Sequence, residues 1–132
     1  MAQKAMPWAD MLKYSAEQKL LAKQIYLVLS KPVNGLDHVL EVADEHIDYQ
    51  RDLERRGIMF AAGPLATIDE QHWEGEGAFV YRADSLAAAR TIADADPMHS
   101  KGARKYEIRL WLLNEGNLGI EVHLSQNTAH IK

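Results

Sequence analysis

Two ionisable side chains, His46 and Asp96, lie at positions where helical spacing predicts apolar residues. Both types of side chain can accept or donate a proton. His46 lies at helical spacing from Val39, Ala43 and Leu53. Asp96 comes three residues after Ala93 and directly before a proline, at a position that should face a protein core. A carboxylate near the end of a helix is also opposed by the helix dipole, so it needs a compensating hydrogen-bond donor or cation.

A histidine beside a carboxylate predicts acid–base chemistry without a nucleophile. Histidine titrates near neutral pH and therefore suits a general base. The carboxylate would fix the ring tautomer and stabilise the imidazolium that forms when the ring takes a proton. A structural reading stays open beside this one. Asp-Pro is a common turn initiator, with the aspartate accepting from local amides, and a histidine on an apolar face is often a core residue with one satisfied nitrogen.

The pairing sets a geometric condition on the first long helix. If two antiparallel helices lie side by side, the end of the second lies beside the beginning of the first. A helix that begins at Asp37 would place His46 roughly 14 Å along its axis, too far from Asp96. We therefore expect a break near Ala43, with Asp44 capping a restarted helix.

The surrounding pattern predicts an α+β protein. The expected elements are a short helix over 15–24 capped by Ser15, a strand over 25–32, a helix over 36–56 with an apolar face that includes Leu40 and Ile47, strands over 58–65 and 78–83, a helix over 86–96 capped by Ser85, and two strands after 105 joined at an Asn-Glu-Gly-Asn turn. The central order βαββαβ is that of the ferredoxin-like antiparallel sheet with both helices on one face. The additions are an N-terminal helix and a C-terminal strand.

Both faces of the predicted sheet are apolar, although its helices can cover only one. In the first strand Leu27 and Leu29 oppose Val28, and in the fourth Trp111 opposes Leu112. A solvated second face would alternate with polar residues. Either a second copy of the chain or the N-terminal helix must cover the second face, and we favour sheet-on-sheet packing in a homodimer or higher homo-oligomer.

Composition excludes several classes of function. The 132 residues carry 15 basic and 19 acidic side chains with no basic cluster, which argues against nucleic acid and anionic membrane as partners. There are no cysteines, and the histidines show no metal-ligand spacing, so we expect neither a metal site nor a cofactor. The N-terminus has no secretory signal, and the longest uncharged run is too short to span a bilayer, which favours a cytoplasmic protein.

The motifs "HIDYQRDLERRGIMFAAGPL", "ADSLAAARTIADADPMHSKG" and "YEIRLW" together resemble the YCII-related (YciI-like) family. The resemblance covers about residues 25 to 113 and implies a dimeric α/β barrel in which His46 and Asp96 match the family's proposed catalytic pair. We accordingly expect a helical extension over 1–24, a YCII-like domain over 25–113 and a strand extension over 114–132. One activity attached to the family is dehydrochlorination of a chlorinated hydroxyhydroquinone.

Four further residues are candidates for substrate binding. Gly63 and Pro64 end the second strand and would shape the rim of a pocket. Ser85 matches a characteristic family position, although capping also explains it, and His99 would meet an anionic substrate or else lie in a solvated loop. The expected function is a small cofactor-free lyase or isomerase acting on a small, including aromatic-derived, metabolite. The alternatives are a non-catalytic module that binds such a molecule and a purely structural oligomer-forming domain.

Overall fold

A computed structural model describes residues 4–132 as two compact units, one spanning Gln24–Trp111 and one that combines the residues before Gln24 with Leu112–Lys132. In chain order the elements are α1 (Trp8–Glu17), β1 (Lys23–Pro32), α2 (Leu36–Arg55), β2 (Met59–Pro64), β3 (Gly77–Tyr81), α3 (Leu86–Ala95), α4 (Pro97–Ser100), β4 (Arg104–Leu113), β5 (Ile120–His123) and β6 (Thr128–Ile131). Among the described residues, no helix combines the length and the apolar character that crossing a bilayer requires.

The larger unit contains a four-stranded sheet in the order β2-β3-β1-β4. β1 and β3 pair antiparallel with Val28 opposite Phe79, and β2 and β3 pair antiparallel with an irregularity between Met59 and Ala61. This mixed α and β architecture is consistent with the ferredoxin-like arrangement that the order of predicted elements indicates.

One face of the sheet meets the helices and forms the core. Val28, Phe79 and Tyr81 pack there against Leu53 of α2 and Ala93 of α3, and all five side chains are buried. A second buried cluster joins Val39 and Val42 of α2 to Met98 of α4 and Ala103. Apolar side chains therefore hold α2 and α3 against one face of the sheet and hold α4 against α2.

The helix α2 is continuous over its 20 residues, so the expected break near Ala43 is wrong. Its end agrees with the prediction, because Gly57 follows with a φ of 72°, a left-handed conformation that glycine adopts at no steric cost. The predicted apolar face was partly misplaced: Leu40 and Ile47 are exposed, and the buried residues are Val39, Val42, His46 and Leu53.

Ser85 caps α3 as predicted, its hydroxyl accepting a hydrogen bond from the Ala88 amide at 3.1 Å. α3 then ends at Ala95, because Pro97 has no amide hydrogen with which to continue the helix. Asp96 adopts an extended conformation between α3 and the single turn of α4. The chain changes direction at this aspartate.

In the smaller unit the predicted helix over 15–24 is wrong. α1 begins earlier, after Pro7, and the positive φ values of Lys19 (59°) and Ala22 (52°) exclude a helix there. Ser15 is not a cap; it is buried within α1, and its hydroxyl accepts from the Asn114 amide at 3.0 Å.

The predicted pairing at the C-terminus is wrong as well. β5 does not form a hairpin with β4; it pairs antiparallel with β6, with Val122 opposite Ala129. Asn127 at the turn has a φ of 53°, a conformation that asparagine tolerates better than most residues. The strand β6 went unpredicted because its "TAHI" sequence is short and weakly patterned.

Candidate active site

His46 and Asp96 are in direct contact, with the imidazole Nδ1 2.8 and 2.9 Å from the two carboxylate oxygens of the aspartate. The relative lengths of the helices explain how an unbroken α2 permits this. α3 has 10 residues against 20 in α2, so its end reaches the middle of α2 and not the beginning. Tyr49 continues the antiparallel register, since its hydroxyl donates to the Ile92 carbonyl at 2.7 Å.

Asp96 is fully buried and has a structural as well as an electrostatic role. Its Oδ1 also accepts from the Met98 amide at 2.9 Å, which caps α4. The sequence left two roles open for Asp96, a local turn and a contact with histidine. The structure shows that one carboxylate has both. Two donors, one from each neighbouring helix, offset the cost of burying its charge.

The hydrogen bonds of His46 define its tautomer. An ionised carboxylate can only accept, so Nδ1 carries the ring proton and donates to Asp96. In the neutral ring Nε2 then has a lone pair, and the Gln50 side-chain amide donates to it at 2.8 Å. The Oε1 atom of Gln50 is buried without a hydrogen-bond partner in the described chain. Asp96 thus holds the imidazole at Nδ1, and the Gln50 amide covers the basic Nε2.

A cavity of about 720 Å³ lies beside this pair. Its wall is mostly apolar, and the polar side chains on it are His46, Gln50, Arg51, Glu54 and Arg104. The remaining lining residues are Ala43, Ile47, Met59, Phe60, Ala61, Ala62, Gly63, Pro64, Ala66, Trp73, Gly77, Phe79 and Met98. A space of this size and polarity is typical of a site for a small, largely apolar molecule.

The four predicted binding residues fall in different places. Gly63 and Pro64 end β2, as predicted, and both line the cavity. Ser85 and His99 do not line it. Ser85 is an exposed helix cap.

His99 is half-buried, and neither expectation for it describes its surroundings. Its Nδ1 donates to the Ala93 carbonyl at 2.6 Å, and its Nε2 accepts from the Ser30 hydroxyl at 2.7 Å. Burial lowers the pKa of His99 below its ordinary value, although the bond to Ala93 and the Asp96 carboxylate act in the opposite direction. The turn of α4 places this ring against Tyr106, at 4.7 Å between ring centroids, and so away from solvent.

Three residues of the wall were not predicted from the sequence. Gln50 follows His46 by four residues on α2, a spacing that could have identified it. Trp73 lies in the loop before β3, and its indole donates to the Glu76 carbonyl at 2.8 Å. Arg104 begins β4 and is only 5% exposed, and no local pattern distinguishes it from an ordinary strand residue.

The titratable groups of the described residues do not gather into a metal site, since no three His, Asp or Glu side chains are placed to hold an ion. The cavity wall instead presents one imidazole beside a mainly hydrocarbon surface. Such a site can transfer a proton to or from a bound molecule.

Comparison with known proteins adds a family and a fold. The model of the YCII-related domain family matches residues 24–112. The chain also resembles a solved structure, the 5-chloro-2-hydroxyhydroquinone dehydrochlorinase of Burkholderia phenoliruptrix in complex with 2,5-dihydroxybenzoquinone. The two share 15% sequence identity over 66% of this chain and 92% of the other, with a TM-score of 0.51, a likeness that concerns the fold. No curated protein matches the chain.

Proposed function

Because the chain belongs to the YCII-related family, we propose that it is a small-molecule lyase or isomerase in which His46 is the general base and Asp96 positions it. The observation that carries this proposal is the bond from His46 Nδ1 to a fully buried carboxylate, on the wall of an apolar cavity. It leaves Nε2 as the basic atom of the ring.

In the proposed reaction Nε2 takes a proton from a carbon or hydroxyl acid of the substrate. The Gln50 amide must first leave Nε2, and a bound substrate would displace it. The electron pair left on the substrate then either expels a leaving group, which departs with its bonding electrons, or accepts the proton back at another atom. The first outcome is an elimination and the second an isomerisation. Asp96 stabilises the imidazolium that this first transfer forms. In the isomerisation the imidazolium returns the proton to the substrate, and after an elimination it gives the proton to water.

The apolar wall favours a flat or ring-shaped substrate with few polar groups. The dehydrochlorinase with a similar fold acts, by its name, on a chlorinated hydroxyhydroquinone, and its structure contains a dihydroxybenzoquinone. We propose the same class for this chain: small ring compounds that carry hydroxyl or carbonyl oxygens.

Chloride release from 5-chloro-2-hydroxyhydroquinone tests this proposal. We expect His46→Asn, whose amide can still donate to Asp96, to lower the rate by about 10²- to 10⁴-fold because the base is gone. The matched control is His99→Asn, which changes a half-buried histidine that does not line the cavity. Equal rates for wild type and His46→Asn would remove His46 from the mechanism.

A non-catalytic binding module is the second candidate, and the Gln50 amide favours it. In the structure this amide occupies the lone pair that a base would need. If the wild type binds the compound in calorimetry and never releases chloride or changes its spectrum, the binding role replaces the catalytic one.

We also propose that the protein acts as a homodimer. The sheet face opposite the helices carries Leu27 and Leu29, both half-buried, and Trp111, which is 41% exposed. A second copy of the same face would bury these side chains by an isologous contact.

A further inference from the structure

We propose that Arg104 binds an oxygen anion of the substrate, so that the cavity selects molecules with a phenolate or enolate oxygen over neutral molecules of the same shape. This inference rests on the proposed function in one respect, since it assigns a ligand class to the cavity beside His46. It does not require that His46 be catalytic.

The guanidinium of Arg104 is buried and incompletely bonded. Its Nε donates to the Gly75 carbonyl at 2.7 Å, which fixes the orientation of the planar group. Its Nη1 is buried and has no acceptor among the described residues, and the carboxylates of Asp96 and Glu76 act on the guanidinium only electrostatically, without a hydrogen bond to Nη1. A buried charge with unused donors is costly unless a partner of opposite charge completes it. Because Arg104 lines the cavity, a bound anion can be that partner.

The arginine and the proposed base both lie near the ring of Phe79 on the cavity wall. The imidazole of His46 lies 5.4 Å from the Phe79 ring, centroid to centroid, and the guanidinium carbon of Arg104 lies 5.9 Å from the same ring centroid. The two groups therefore flank one phenyl side chain on the cavity wall. A ring compound against this wall can place an acidic hydrogen towards His46 and an oxygen towards Arg104.

Two glycines shape the space around the guanidinium. A Cβ atom on Gly77 would lie 3.2 Å from Arg104 Nη1 and 3.0 Å from the Phe79 ring, closer than side chains ordinarily pack. Gly75, which supplies the carbonyl acceptor, has a φ of 101° that favours glycine. A side chain at position 77 would therefore displace the guanidinium or the Phe79 ring from the positions that the structure shows.

Charge on the substrate is the property that this arrangement would recognise. When a base removes a proton from a hydroxyl or carbon acid, negative charge collects on an oxygen conjugated with the reacting atom. A guanidinium fixed beside that oxygen stabilises the charge without having to reorganise. The other arginine on the wall, Arg51, has a side chain that is 67% exposed and lies 3.8 Å from Asp48, so solvent screens it.

A matched pair of probes, 4-nitrophenol and 4-nitroanisole, tests the inference. Both are flat and similar in size, but only the phenol ionises, and its phenolate absorbs at longer wavelength. We expect the wild type to bind the phenolate more tightly than the anisole, and the absorption of bound 4-nitrophenol to show its apparent pKa lowered. Arg104→Met, of similar shape and no charge, should weaken phenolate binding about 10- to 100-fold and leave anisole binding within about twofold.

Arg55→Met, at an exposed arginine of α2 that does not line the cavity, is the control and should change neither affinity. Arg104→Lys keeps the charge without the fixed fork and should recover part of the preference for the phenolate. If Arg104 only supports the Gly75 carbonyl, Arg104→Met should weaken the binding of both probes by the same factor. That result would overturn the inference. The inference would also be overturned if the wild type bound neither probe, or if the apparent pKa of bound 4-nitrophenol were raised. These wild-type measurements do not depend on whether Arg104→Met folds.

The outcome is separable from the proposed catalysis. His46→Asn should still prefer the phenolate if Arg104 is the anion-binding residue, whatever its effect on turnover. Phenolate preference without chloride release would retain the binding site and discard the reaction. Chloride release without phenolate preference would do the reverse.

Discussion

At the scale of residues, the candidate site depends on one buried carboxylate that has two partners from different helices. Asp96 accepts from His46 Nδ1 and from the Met98 amide, and no part of it is exposed. Water cannot replace either donor, so the carboxylate holds the imidazole in one orientation and one tautomer. Because buried Asp96 accepts from Nδ1, the lone pair of the neutral His46 ring is on Nε2.

Replacing Asp96 by asparagine should reverse that tautomer. If the asparagine oxygen keeps the Met98 amide, its NH₂ group faces His46, so Nδ1 has to accept and Nε2 carries the proton. We expect turnover to fall by about 10²- to 10⁴-fold while circular dichroism shows an intact fold.

Asp94→Asn is the matched control for this change, because Asp94 is exposed and accepts from the Tyr106 hydroxyl at 2.6 Å. It should keep turnover near the wild-type rate. If Asp96→Asn also turns over at that rate, Asp96 has no part in positioning the base.

The sequence identified His46 and Asp96 because both break an apolar stripe, and spacing along a helix is a property of the chain itself. Arg104 could not be found in this way. Its importance comes from a cavity formed by distant segments, including Phe79 of β3 and the Gly75 carbonyl of the preceding loop. Periodicity describes one element at a time and does not report which side chains from several elements remain unpaired.

At the scale of elements, the length ratio of α2 and α3 places the site. A short α3 that ends at Asp96 meets the middle of α2, and α4 continues along the first half of α2 through Met98. The limits of the central strands and helices were predictable from caps and breakers such as Pro32, Gly57 and Ser85. The expected break in α2 was wrong because it assumed that the end of α3 lies beside the beginning of α2.

His99 in α4 should make the free energy of unfolding depend on pH. Burial lowers the pKa of His99 in the folded protein below its ordinary value of 6.5. The unfolded chain therefore binds the proton at a higher pH than the folded chain does. The stabilisation is complete above the unfolded pKa and is lost as the pH falls from there to the lower folded pKa.

His99→Gln removes the titrating group, so we expect its free energy of unfolding to fall less than that of the wild type between roughly pH 7 and pH 5. Urea unfolding at a series of pH values measures the difference. His72→Gln, in an exposed loop, should retain the wild-type dependence. Parallel curves for wild type and His99→Gln would contradict the role assigned to His99.

At the scale of the whole molecule, the proposed dimer follows from the apolar sheet face that the helices of the larger unit do not cover. The alternation of β1 and β4 indicated that face from the sequence. The terminal elements were harder to predict, since α1, β5 and β6 are short and their partners are equally short segments.

Trp111→Glu should dissociate the dimer, because a carboxylate at the centre of an apolar contact would lose its hydration. Sedimentation equilibrium measures the mass against 14.9 kDa for one chain. The control is Leu86→Glu, at a leucine of similar exposure (43% against 41%) on α3. A monomeric wild type, or a Trp111→Glu variant that stays dimeric, would contradict the proposed interface.

Nitrogen-15 NMR of the His46 imidazole at neutral pH tests the central claim most directly. It needs no substrate, and His46→Asn assigns the resonances. The account predicts a protonated Nδ1 and an Nε2 with the chemical shift of an unprotonated nitrogen, and the reverse pattern in Asp96→Asn. A wild-type ring with its proton on Nε2 would contradict a base held ready by Asp96.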